Sequence, residues 1–135
     1  MKGIVADADV VGQVERIVAV VQGKVWGDIW HELGLRYFIF EQLDLDSDSS
    51  DAEVWDKCQA AEVVLITGNR NADDPDSLEA TIEARNEPSA LPVFTLADAE
   101  RVLNDSEYVE LIAESLLDYI MYIDNVRGTG RLYLP

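Results

Sequence analysis

The chain has 135 residues, of which 48% are hydrophobic and 27% charged, values typical of a globular protein with one core. They exclude a largely disordered chain and predict a single domain over residues 1–135. The 27 acidic residues against 10 basic ones give a formal net charge of −17, which repels phosphate backbones and disfavours general coating of nucleic acid. A local site that grips nucleic acid through a metal ion is still compatible with this charge.

The sequence also bears on the compartment. Its one cysteine, Cys58, excludes an intrachain disulfide and fits a reducing environment. An acidic residue already stands at position 7, so we expect no secretory signal, and no apolar run approaches the roughly 20 residues needed to span a bilayer. We therefore expect a cytoplasmic protein without a membrane segment.

Strand and helix patterns alternate along the chain. In the first half, apolar spacing predicts a strand at 3–6, helices at 9–22 and 26–33, a strand at 37–40, a helix at 51–61 and a strand at 63–67. In the second half it predicts a helix at 76–86, a strand at 92–96, helices at 97–103 and 107–125, and a strand at 131–134. This order predicts an α/β fold, a three-layer α/β/α sandwich around a mainly parallel sheet.

Within these elements, two details can be tested directly. Ser50 followed by Glu53 predicts a capping box at the start of the third helix. In the long helix, the apolar spacing predicts that Ile112, Leu116, Ile120 and Ile123 are buried.

Polar residues follow the carboxyl ends of the predicted strands, where ligands bind in such sheets. Asp7 and Asp9 follow the first strand, and their carboxylates suit Mg²⁺, although Asp9 could equally cap the next helix and Asp7 lie in a solvated turn. Asp51 opens the third helix, where an acidic residue also favours the helix dipole without further function. The segment 67–74 offers oxygen ligands and a phosphate-binding guanidinium, or is a polar surface loop.

Several catalytic classes lack their residues. His31 is the only histidine, which excludes a zinc site built on a histidine pair. The sequence contains neither a nucleophile elbow nor a Gly-rich phosphate-binding loop after the first strand. Two interpretations therefore remain: the protein uses metal-assisted chemistry, or it is not a catalyst.

The order of the motifs resembles the PIN-like nuclease fold, in particular its compact bacterial group related to toxin–antitoxin ribonucleases. The resemblance rests on a first strand ending in Asp, a helix opening Ser-Asp-x-Glu-Val, and a strand ending Thr-x-x-Arg within SDAEVWDKCQAAEVVLITGNRN at 50–71. The resemblance covers nearly the whole chain, although each of the motifs that carry it is short.

What the resemblance implies is a hydrolase that cuts RNA phosphodiesters with Mg²⁺ or Mn²⁺. Asp7 and Asp51 match the family's first-strand and helix-opening aspartates, while Asn69 and Asn71 stand where the family usually has aspartates. Asparagine offers a carbonyl oxygen but no charge, so both an active nuclease and a degenerate, non-catalytic binding module are compatible with it.

The full set of expected site residues follows from this resemblance. Asp7, Asp51, Asn69 and Asn71 are the expected catalytic residues, Asp7, Asp9, Asp51 and Asp73 the expected metal ligands, and Thr67 and Arg70 the expected substrate contacts. The expected partners are RNA, an antitoxin-like protein and a second copy in a homodimer.

A second resemblance is to haloacid-dehalogenase-type phosphohydrolases, through GIVADADVV and the later VVLITGN. It implies Asp7 as nucleophile and Asp9 as acid/base. That family needs a later lysine, whereas the last lysine here is Lys57, so Arg70 or Arg85 would have to replace it. The PIN-like interpretation is preferred because it also accounts for Asp51.

Overall fold

One parallel sheet organises the molecule. The computed structural model describes residues 1–69 and 77–135. Within them the sheet is built from β1 (Gly3–Ala6), β2 (Arg36–Phe38), β3 (Val63–Thr67), β4 (Val93–Leu96) and β5 (Arg131–Leu134). The order across the sheet is β2-β1-β3-β4-β5, and every neighbouring pair is parallel.

The helices fill the connections between the strands. They are α1 (Val11–Val21), α2 (Gly27–Glu32), α3 (Asp51–Ala61), α4 (Leu78–Arg85), α5 (Ala99–Asn104), α6 (Ser106–Met121) and α7 (Ile123–Val126). Short 3₁₀ turns at Ala8–Val10 and Phe40–Leu43 precede α1 and follow β2. No helix in the described ranges combines the length and the apolar character that a bilayer crossing requires.

Most predicted bounds lie within two residues of the observed ones, and two differences change the local path of the chain. The strand predicted at 37–40 runs from Arg36 to Phe38, because the chain enters the 3₁₀ turn at Phe40. The helix predicted at 107–125 is interrupted at Tyr122, whose φ of −116° and ψ of 34° are not helical. Ile123 therefore opens the separate helix α7 and is only half-buried.

Helices cover both faces of the sheet, which confirms the three-layer α/β/α arrangement. Because strand side chains alternate, Ile4 and Ala6 pack with α1 and α6 on one face, whereas Val5 packs with α3 and α4 on the other. The strands read as continuous apolar runs because both faces are buried. In α6, residues 112, 116 and 120 are buried as predicted.

The strand order places a crevice beside β1. The chain goes from β1 to β2 at one edge and then returns to β3 on the opposite side of β1. The connections leaving β1 and β3 run over opposite faces of the sheet, with α1 on one and α4 on the other. In open α/β sheets, ligands bind at such a reversal, outside the carboxyl ends of the strands. The ends of β1 and β3 are therefore the part of the fold to search for a site.

Candidate functional site

A hydrogen-bonded pair of side chains joins the ends of β1 and β3. The Thr67 hydroxyl donates to Asp7 Oδ2 at 2.8 Å and accepts from the amide of Asn69 at 3.0 Å. The second carboxylate oxygen of Asp7 accepts the amide of Ala8 at 2.9 Å. Thr67 is 0% exposed. The parallel register, in which Ala6 pairs with Ile66, brings these residues together, and both were predicted as site residues.

Asp9 lies in the 3₁₀ turn after Asp7 and reaches the same place. A Cβ on Gly68 would lie 3.1 Å from Asp9 Oδ2, so glycine permits the close approach of the β3 end to this carboxylate. Although much of Asp9 is exposed, its pKa is raised, first by partial burial and then by the negative charges of Asp7 and, more weakly, Asp51.

Asp51 stands in the first turn of α3, where the sequence predicted it. The Ser50 hydroxyl caps this helix by accepting the amide of Glu53 at 3.1 Å, which is the serine half of the predicted capping box. Asp51 contributes to the raised pKa of Asp9. Residues 7, 9 and 51 therefore share one negative electrostatic environment, although three different elements carry them.

The thiol of Cys58 lies near this environment but is chemically quiet. Burial, reinforced by the charge of Asp7, raises the pKa of the Cys58 thiol to about 12. A thiol with such a pKa is protonated at neutral pH and is neither a good nucleophile nor a ready metal ligand. Cys58 therefore serves the core beneath α3.

The donor chemistry fits a hard divalent cation, but the described ligands are few. Asp7 and Asp9 form no ion pair among residues 1–69 and 77–135, so no described basic side chain neutralises them. Within the same ranges, no three His, Cys, Asp or Glu residues are arranged so that they could hold a metal ion. The predicted residues Arg70, Asn71 and Asp73 lie outside the described residues.

An open cleft of about 530 Å³ adjoins Asp7 between the ends of β1 and β2. Among its lining residues are Ala6, Ala8, Tyr37, Phe38, Phe40 and Asp46. Three aromatic residues thus line the cleft, of which Tyr37 packs against the core on the α1 side of the sheet and Phe38 and Phe40 against the core on the α3 side. This cleft was not predictable from the sequence, because the run YFIF at 37–40 has the apolar character of a buried strand and gives no sign that its end is open.

Arg131 also contributes to this region, although the sequence did not predict it. Its side chain is only 7% exposed, and it bonds Glu79 Oε2 through Nε at 2.8 Å. Its Nη1 donates to the carbonyl oxygen of Asn69 at 2.8 Å and to the hydroxyl of Thr95. Nη2 is buried and finds no hydrogen-bond partner among residues 1–69 and 77–135. Arg131 thus ties the last strand to the turn that follows Thr67.

Comparisons with known proteins were made against protein-family models, curated proteins and solved structures. No family model matches the chain, and neither the curated proteins nor the solved structures gave a significant match.

Proposed function

We propose that this chain is a PIN-like, metal-dependent ribonuclease-type hydrolase whose site lies at the carboxyl ends of β1 and β3. The observation that carries the proposal is the 2.8 Å hydrogen bond from Thr67 to Asp7 at the strand-order reversal. It holds one oxygen donor rigidly where α/β sheets bind ligands. Asp9 supplies a second carboxylate near this point. Its pKa is raised by partial burial and by the negative charges of Asp7 and Asp51, so the three side chains interact electrostatically.

The cation of this proposal is Mg²⁺ or Mn²⁺, held by at most two of the carboxylates of Asp7, Asp9 and Asp51 at a time, together with water, since no three of the described carboxylates converge on one point. Mg²⁺ often uses only one or two carboxylates and keeps several waters, which suits a site with few described ligands. Asp73 is the further ligand proposed from the sequence, with Asn69 and Asn71 offering amide oxygens. When bound, the cation lowers the pKa of a water and stabilises negative charge on the phosphate.

The residues of the chain have distinct proposed roles. Asp7 is fixed by two hydrogen bonds and therefore orients the ligand set. Asp9, whose pKa is raised by partial burial and by the charge of Asp7, is a carboxylate whose unfavourable charge a bound cation would offset. Thr67 keeps its hydroxyl bonded to Asp7 and thereby positions that carboxylate, and Arg70 is proposed to contact the phosphate.

RNA is the proposed substrate, and the adjoining cleft supports it. Bases of single-stranded RNA stack on aromatic rings, and Tyr37, Phe38 and Phe40 line the cleft beside Asp7. With a net charge of −17, the protein gains little from general attraction to phosphate. We therefore propose weak binding that depends on the cation. An antitoxin-like partner, a homodimer and a cytoplasmic location belong to the same proposal.

Hydrolysis of small phosphate esters by the haloacid-dehalogenase mechanism is the second candidate. It draws on the same feature, an aspartate after β1 adjacent to a threonine ending β3. Arg85, one substitute for the missing lysine, instead pairs with Asp56 at 2.5 Å on an exposed surface. This engagement favours the nuclease proposal over the phosphohydrolase.

Cleavage of labelled RNA with Mn²⁺ and with chelator tests the proposal, with a generic phosphate monoester assayed in parallel. We expect RNA cleavage that requires Mn²⁺ and is lost in Asp7→Asn and Asp51→Asn. Asp28→Asn, in the first turn of α2, is the control and should cleave like the wild type. Monoester hydrolysis alone would favour the second candidate. Absence of both activities, with no thermal stabilisation by Mn²⁺, would overturn catalysis and leave a binding module.

A further inference from the structure

A groove between α2 and α6 lies apart from the candidate site. Its volume is about 440 Å³, and Trp26 and Ile29 of the α2 region face Leu111, Leu117 and Met121 of α6 across it. Leu111 is 53% exposed and Met121 47% exposed, so large apolar side chains meet solvent here. None of Asp7, Asp9 and Asp51 lines the groove.

Acidic residues accompany this apolar surface along α6. Glu110, Glu114 and Asp118 follow one another at intervals of four residues, which places them in one row on the helix. Like charges at this spacing destabilise a helix by about 0.2–0.5 kcal/mol per pair. Within residues 1–69 and 77–135 no salt bridge involves any of the three, and Glu110 accepts only the indole N–H of Trp26 at 3.3 Å.

From these features we propose that the α2–α6 groove binds a basic amphipathic helix of a partner protein. Apolar side chains of such a helix would occupy the groove, while flanking Lys or Arg side chains would pair with Glu114 and Asp118. From Leu111 to Met121 the helix rises about 15 Å, enough for about three turns of the partner. The proposal is independent of the cation chemistry at β1 and β3.

Charge decides against other occupants of the groove. A second copy docked in this groove would bring the same acidic row to the interface, and like-charge contacts there oppose association. Nucleic acid and anionic lipid surfaces are repelled for the same reason. A cationic segment relieves the repulsion within the row and buries the exposed apolar side chains at once.

The test uses a fluorescein-labelled helical peptide of about 14 residues, with leucines along one face and lysines flanking them. Fluorescence anisotropy measures its binding to the full chain. We expect saturable binding that weakens as NaCl is added. A scrambled peptide of the same composition and a version with Glu in place of each Lys serve as ligand controls, and both should fail to bind.

Two groove variants and one matched control locate the binding. Glu114→Lys with Asp118→Lys should weaken binding at least about tenfold, and Leu111→Ser with Met121→Ser should do the same. Glu83→Lys with Asp48→Lys changes the net charge equally at exposed positions outside the groove and should change binding less than about twofold.

Equal binding of the scrambled peptide, equal weakening by the control variant, or no binding by the wild type would overturn the proposal. Sedimentation measured in parallel would overturn it too if a dimer formed that Leu111→Ser with Met121→Ser dissolved. All six changed positions are exposed, and circular dichroism verifies the fold of each variant. RNA cleavage in the wild type is a separate readout, so failure here leaves the proposed function unaffected.

Discussion

Thr67 is the residue on which the geometry of the candidate site depends most. Its hydroxyl serves as acceptor for the amide of Asn69 and as donor to Asp7, so one buried oxygen links two strand ends. Because the hydroxyl is both donor and acceptor, it fixes Asp7 and the Asn69 backbone, since moving either breaks a hydrogen bond. The result is a carboxylate at position 7 whose orientation does not depend on a bound ligand.

Replacing Thr67 with valine should lower the free energy of unfolding by about 1–2 kcal/mol. Valine keeps the shape but removes the hydroxyl that bonds the Asn69 amide and one oxygen of Asp7, and the loss of two such hydrogen bonds carries that order of penalty. Urea unfolding of Thr67→Val beside Thr67→Ser, which keeps the hydroxyl, measures the effect. Valine and serine variants of equal stability would show that the hydrogen bonds contribute nothing.

Asp9→Asn should raise the free energy of unfolding at pH 7, by at most about 1 kcal/mol because Asp9 is exposed and water screens it. The pKa of Asp9 is raised above the ordinary value of 3.8, so the folded protein holds this proton more tightly than the unfolded chain. The protonated Asp9 therefore contributes to the free energy of unfolding. This contribution is fully present below pH 3.8 and is lost as the pH rises through the raised pKa of the folded protein.

The difference between wild type and Asp9→Asn should therefore shrink as the pH falls from about 7 towards 4. Urea unfolding at several pH values measures this difference. Asp48→Asn, a change at another exposed aspartate, is the control and should stay within about 0.5 kcal/mol of wild type at each pH. A gap for Asp9→Asn that widened towards low pH would contradict the assigned direction of the shift.

At the scale of elements, apolar runs were predictable and their interruptions were not. The strands β1 and β3 match the predicted bounds because they are apolar on both faces. The break at Tyr122 escaped prediction, since the apolar spacing of α6 continues to Ile123 and only the backbone at Tyr122 departs from helix.

The candidate site was partly predictable for a similar reason. Parallel strands bring their carboxyl ends together, so Asp7 and Thr67 could be placed side by side from the sequence. The contact of Arg131 with Asn69 joins residues 62 positions apart through a backbone carbonyl, which leaves no trace in residue patterns. The cleft beside Tyr37 depends on where β2 ends, a boundary that the sequence placed two residues too late.

The tie between β5 and the end of β3 has a measurable strength. Arg131→Met should cost about 3 kcal/mol, the lower end for a broken buried ion pair, because Glu79 keeps 31% of its side chain exposed. Arg85→Met, which breaks an exposed pair with Asp56, should cost less than about 1 kcal/mol. Thermal unfolding of both variants measures the contrast, and equal losses would mean that Arg131 acts only as a surface residue.

For the whole molecule, the dominant physical feature is the excess of negative charge. With 27 acidic and 10 basic residues, most carboxylates have no basic side chain to pair with. Self-repulsion of this kind destabilises a compact state while keeping it soluble. The same excess makes a cation at Asp7 and a basic helix in the α2–α6 groove favourable partners on electrostatic grounds.

Monovalent salt should therefore stabilise the protein without binding to any one site. Raising NaCl from about 0.02 to 0.5 M shortens the Debye length from roughly 20 to 4 Å and screens the repulsion between carboxylates. We expect a gain of about 1 kcal/mol, or roughly 4 °C in the melting temperature of a domain of this size. The gain should diminish near pH 4, where carboxylates begin to lose their charge.

Comparison of Mn²⁺ with NaCl at matched ionic strength separates this general effect from a specific site. A cation bound at Asp7 should add stability beyond screening, in proportion to its occupancy, and Asp7→Asn should remove only that addition. The NaCl response of Asp7→Asn should stay close to that of the wild type, because one carboxylate among 27 acidic residues changes the total field little. A melting temperature that does not rise with NaCl would contradict the charge argument for the whole molecule.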